Sequence, residues 1–96
     1  MEPDYKFNER QILDEILQHI NKTYKSHYAK AKKFQTFESI HDSGHGLGFA
    51  LGNVKKYIDR YGQKNGYNRE DLLKSAHYII LALYDQSMRK IENDNT

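Results

Sequence analysis

GLGFALGNVKKYIDRYGQKNGYNREDLLKSAHYIILALYD, residues 46–85, reads as two helical runs around one polar turn. In the first run Leu47, Leu51, Val54, Ile58 and Tyr61 recur at helical spacing, which predicts a helix over about 47–61. Gly62 stops it, and Gln63-Lys64-Asn65-Gly66-Tyr67 makes the turn. Asn68 opens the second run, with Asp71 three residues on as a shortened capping box. Leu72, Leu73, Ala76, Ile79, Ile80 and Leu83 form its expected buried stripe, over about 69–90. Tyr78, Leu81, Ala82 and Tyr84 make this helix apolar nearly all round, so it is read as central to the core or covered by another subunit. The two runs form a C-terminal helical hairpin.

Toward the N-terminus, Ile12, Leu13, Ile16, Leu17 and Ile20 line one face of a helix from residue 9 to about Tyr24, with Asn8 as its N-cap. The lysines of KTYKSHYAKAKK, residues 22–33, mark a basic connector. Phe34, Phe37 and Ile40 predict a short amphipathic helix that ends at Asp42-Ser43-Gly44, with Gly44 in the left-handed position. Pro3 is the single proline, and no stretch alternates like a strand. The expectation is all-α, about four helices, in one domain over 1–96 with a frayed tail from Ile91.

Composition narrows the function classes. With 96 residues there is room for one core only. Hydrophobic residues are 38% and charged residues 29%, polar but not disordered in character. Zero cysteines exclude disulfides, thiolate metal sites and a cysteine nucleophile. The longest apolar run, Ile79 to Tyr84, is far short of the ~20 residues that span a bilayer. MEPDYKFNER carries no apolar signal core, so the chain is read as soluble, cytoplasmic and not bound to membrane. A net charge of +2 does not force a nucleic-acid reading.

Three clusters could carry chemistry. Asn53, Lys56, Arg60 and Lys64, at offsets 0, 3, 7 and 11, share one helix face beside the apolar seam. Cations in a row suit phosphate, although a solvated face has the same pattern. Arg60 is expected to be exposed and dispensable for folding. Asp71, Lys74, His77 and Tyr78 share one side of the last helix and could face that stripe across the hairpin. Their bland reading is a cap and a core ring. Gly46, Gly48 and Gly52 give GxGxxxG, one residue off the dinucleotide fingerprint and without its strand, and no P-loop motif is present. Those glycines suit either phosphate approach or close helix packing. His41 and His45 flank the helix-breaking Ser43-Gly44 and lack a placed third ligand, so no metal site is assigned.

From His27 to Asp85 the chain resembles the SaV-like family of small phage proteins, a domain of unknown function. The resemblance rests on His27-Tyr28, on Phe37-Glu38-Ser39-Ile40, and on the run Leu51-Gly52-Asn53-Val54-Lys55-Lys56-Tyr57-Ile58-Asp59-Arg60-Tyr61-Gly62-Gln63-Lys64. It closes on Asp71-Leu72-Leu73-Lys74-Ser75-Ala76-His77-Tyr78, where His77 departs from the aromatic or aliphatic residue common in the family. A related domain occurs in a nucleotide kinase of short-tailed coliphages that phosphorylates deoxynucleoside monophosphates without a P-loop. The resemblance therefore implies nucleotide handling, with His27, Tyr28, Asn53, Lys56, Tyr57, Arg60, Lys64 and Tyr78 as nucleotide or phosphate contacts. It implies Asp71 and Lys74 as catalytic residues. In a kinase, Lys56, Arg60 and Lys64 would neutralise the transferring phosphates, Asn53 would orient them, and Asp71 would hold Mg2+ or the acceptor. The alternative is a non-catalytic binder that sequesters a nucleotide signal of host defence. A third reading is a DNA- or protein-binding accessory factor using the lysines of 22–33. A homo-oligomer built on the last two helices is expected, in the cytoplasm of an infected cell.

Overall fold

The computed structural model describes residues 2–26 and 35–89. His27, Tyr28, Phe34, most of the basic connector and the tail from Lys90 lie outside the described residues. Four helices occupy the described residues: α1 (Glu9–Lys25), α2 (Gln35–Asp42), α3 (Gly46–Arg60) and α4 (Arg69–Met88). No strand occurs among these residues, and the chain is all-α. The hairpin of α3 and α4 is the main packing unit, with α2 laid on α3 and α1 on α4.

The helix ends follow from local chemistry. His45 N–H donates to the Ile40 carbonyl and Gly44 N–H to the His41 carbonyl, a complete Schellman close for α2. Gly44 supplies the required positive φ of 91°. After α3, Gly62 adopts φ 85°, and its N–H donates to the Gly66 carbonyl at 2.9 Å to close the turn. The Asn68 side chain caps α4 by accepting from Glu70 N–H at 3.0 Å. Two capping expectations fail. Asn8 precedes α1 but sits in the left-handed region, where its side chain makes no cap hydrogen bond. Asp71 does not reach back to the Asn68 cap; its carboxyl turns into the α3–α4 interface.

The packing also inverts the expected core. In α4 the buried residues are Asp71, Ser75, His77, Tyr78, Ala82 and Asp85. Of the expected buried stripe, Leu72, Ile79, Ile80 and Leu83 are exposed, Leu83 by 57%, while Leu73 and Ala76 are half-buried. On α3 the fully buried residues are the small Gly46 and Ala50. The close approach is filled by rings and by polar groups with partners across the seam. Ser75 Oγ, for example, donates to the Val54 carbonyl at 3.4 Å. Leu47, Leu51 and Ile58 on α3 are exposed likewise, as are Ile12, Leu13 and Leu17 on α1. α1 buries no residue. It is fastened to α4 by Arg69, which donates to both Glu15 carboxylate oxygens at 2.6 Å. That pairing holds Glu15 below the usual carboxylate range.

Candidate functional site

Helical spacing on α3 sets Asn53, Lys56, Tyr57 and Arg60 along the edge that meets α4. Asp71, Lys74 and Tyr78 face them from α4. Tyr57 and Tyr78 stack nearly parallel, 15° apart in plane and 5.9 Å between centroids. Lys56 Nζ lies 5.1 Å from the Tyr57 ring centre and Lys74 Nζ lies 5.3 Å from it, so two helices bring ammonium groups to one ring. Lys74 also lies 3.7 Å from the exposed Glu70 carboxylate. Burial, with the Tyr57 phenol beside it, pushes the Tyr78 phenol upward.

At the turn end of the hairpin, Arg60 Nε stands 3.5 Å from Asp71 Oδ1. Asp71 is 2% exposed. Arg60 keeps 29% of its side chain in solvent, so the expectation of an exposed arginine is corrected to a half-buried one. Arg60 Nε and Asp71 Oδ2 are buried without hydrogen-bond partners among the described residues. The guanidinium thus retains donor capacity and the carboxylate retains acceptor capacity.

Two members of the expected stripe behave differently. Asn53 Nδ2 donates to the Phe49 carbonyl of its own helix at 2.9 Å. Lys64 does not continue the α3 face, because the helix ends at Arg60 and Gly62 redirects the chain. His27 and Tyr28 lie outside the described residues. The Lys55 ammonium turns away to Asp59, 2.7 Å off.

Mg2+ finds little here. Asp71 supplies one carboxylate, deeply buried and already against Arg60. No group of three potential metal-ligating side chains gathers among the described residues. These residues do not form a Mg2+ cage, and Mg2+ in such a site would be carried mainly by ligand phosphates.

Sequence reasoning missed a second polar cluster. His41 Nδ1 lies 2.5 Å from Asp85 Oδ1, and Asp85 is 1% exposed. Arg89 Nε braces the other Asp85 oxygen at 3.4 Å, and its terminal nitrogen donates to the His41 carbonyl. Gly46 makes room for this cluster, since a Cβ there would collide with Asp85 Oδ1. A signal existed: Asp71, Ser75, Tyr78, Ala82 and Asp85 recur at offsets 0, 4, 7, 11 and 14, one helix face.

No helix among the described residues is long and apolar enough to cross a membrane. No curated protein and no solved structure matches the chain. Residues 20–80 match the model of a family described as proteins of unknown function, DUF3310, a span that includes α2, α3, the turn and the Tyr57, Arg60, Asp71 and Tyr78 cluster. The chain belongs to that family.

Proposed function

We propose that this chain is a phage-type nucleotide-binding protein, and that the α3–α4 edge around Tyr57 holds the nucleotide's phosphates. The observation that carries this reading is the convergence of Lys56 and Lys74, from different helices, on the one Tyr57 ring. The exposed Glu70 carboxylate, 3.7 Å from Lys74, offsets one of the two charges, and the pair at a half-buried ring still favours a further anion. Arg60 at the end of the same edge adds a planar fork suited to phosphate oxygens. The activity implied by the SaV-like resemblance is nucleoside monophosphate kinase-like transfer. In it the terminal phosphoryl group of a triphosphate passes to a monophosphate oxygen, yielding two diphosphates. Lys56, Lys74 and Arg60 would neutralise the charge that spreads over the phosphoryl oxygens.

The burial of Asp71 favours a second reading, a non-catalytic binder that sequesters a nucleotide. A carboxylate this enclosed acts on a ligand through Arg60, as a positioning group. The exposed apolar faces of α3 and α4 support self-association in either case.

The test is a nucleoside monophosphate with ATP or dATP and Mg2+, product diphosphate being measured beside binding by calorimetry. Kinase activity predicts diphosphate at a rate strongly reduced in Asp71→Asn. Tight binding with no product across the common nucleotides rejects transfer and keeps capture. Lys56→Ala should weaken binding about tenfold, as for one charge-assisted contact, and Lys55→Ala should leave it unchanged. Equal losses from the two would mean bulk charge and no defined site.

A further inference from the structure

Between α2 and the C-terminal half of α4 lies a cavity of about 330 Å3, separate from the Tyr57 cluster. Phe37, His41, Tyr24 and Tyr84 give it aromatic walls, and Glu38 and Asp42 give it carboxylates. His41 lies near-parallel to Phe37, 28° apart in plane and 6.2 Å between centroids, and Tyr84 stands 5.3 Å from the imidazole.

We infer that this cavity is a nucleobase subsite, selective for bases that present an exocyclic amino group. The inference rests on the nucleotide reading above and names the part of the ligand that the Tyr57 edge does not address.

Flat rings on a pocket wall are stacking platforms for bases. Ionised carboxylates only accept hydrogen bonds, so Glu38 and Asp42 favour a donor edge. Adenine, cytosine and guanine carry amino donors there. Uracil and thymine have no amino group; their one donor on that edge, N3–H, is flanked by carbonyl oxygens that the same carboxylates would repel. The imidazole wall is held in place, since His41 Nδ1 is committed to buried Asp85 and Arg89 ties both together. A wall fixed before binding costs little to order.

A row of packed rings links the cavity wall to the cationic edge. Phe37 meets Phe49 at 6.1 Å, Phe49 meets Tyr78 at 6.2 Å, and Tyr78 stacks on Tyr57. Leu81, on the cavity wall, follows Lys74 by seven residues on the same side of α4. That is about 10 Å along the helix axis, within the reach of a nucleotide from base to phosphate chain.

The experiment uses the full chain, with cytidine and uridine as phosphate-free probes and inorganic pyrophosphate as a base-free probe, read by NMR at millimolar ligand. Cytidine should shift resonances of Phe37, His41 and Tyr84 and bind at least tenfold tighter than uridine. Pyrophosphate should shift Lys56 and Lys74 instead. Tyr84→Leu should weaken cytidine about tenfold and leave pyrophosphate unchanged. The double variant Glu38→Gln, Asp42→Asn alters two exposed side chains and should bring cytidine and uridine within about twofold. Pyrophosphate binding with no nucleoside response in the cavity overturns the base subsite and leaves the phosphate site standing. A nucleoside response in the cavity without pyrophosphate binding does the reverse. Silence with both probes overturns both, and equal cytidine and uridine affinity in the unaltered protein overturns the selectivity.

Discussion

Arg60→Ala separates a paired arginine from a merely exposed one. Asp71 is 2% exposed and faces Arg60 at 3.5 Å, so the substitution strands a buried carboxylate. Breaking a fully buried pair by removing one partner costs about 3–5 kcal/mol. Here 29% of the arginine side chain is in solvent and Nε makes no hydrogen bond, so screening and loose geometry trim the cost to roughly 2 kcal/mol. For a domain of this size that is a fall of ~8–16 °C in Tm. The assay is thermal unfolding at one fixed protein concentration, because any assembly makes Tm concentration-dependent. Asp71→Ala and the double variant complete the cycle. The double variant should lose about 1–2 kcal/mol less than the sum of the singles, since removing both partners strands neither. An Arg60→Ala protein within ~0.5 kcal/mol of the parent, with additive singles, would refute the pairing.

Other outcomes follow from the same geometry. Gly46→Ala forces its new Cβ onto Asp85 Oδ1 and should cost more than ~2 kcal/mol by melting, as a buried network breaks. Gly48→Ala meets nothing within 4 Å and should instead stabilise α3 by about 0.5–1 kcal/mol; a loss there would mean that the face is covered in solution. Tyr78 holds its proton more tightly folded than unfolded, so its contribution is complete below pH 10.0, its ordinary value, and is lost as pH rises through the raised folded value. Urea midpoints between about pH 9 and 11 should therefore fall less steeply in Tyr78→Phe. With Leu72, Ile79, Ile80 and Leu83 exposed together, light scattering at micromolar concentration should give at least a dimer mass, and Ile80→Lys should lower it. A monomer mass for the parent protein would contradict the assembly.

The helices and the hairpin turn were legible because apolar period and helix punctuation agree from Leu47 to Leu83. The pairing of the Asn53–Arg60 edge with Asp71 and Tyr78 was legible too, since helical offsets fix which residues share a side. Inside and outside were not. Periodicity ranks faces by hydrophobicity, and in α4 the more apolar face is the exposed one. Asp71, Ser75 and Asp85 tolerate burial because Arg60, Val54 and His41 supply partners or opposing groups from other elements. Those contacts span sequence distances that local pattern does not encode. The same limit hid the His41–Asp85–Arg89 cluster. Asn8 was placed correctly before α1, but its left-handed backbone, which sequence alone does not specify, removes the side-chain cap.

The central claim is that phosphate groups bind the edge formed by Lys56, Tyr57, Arg60, Lys74 and Tyr78. Mapping the amide and side-chain resonances of the full chain during titration with a nucleoside triphosphate tests it most directly. The account predicts saturable shifts concentrated on those five residues, lost in Lys56→Ala and kept in Lys55→Ala. Shifts spread evenly over the exposed lysines, or no saturable shift with any common nucleotide, would contradict it.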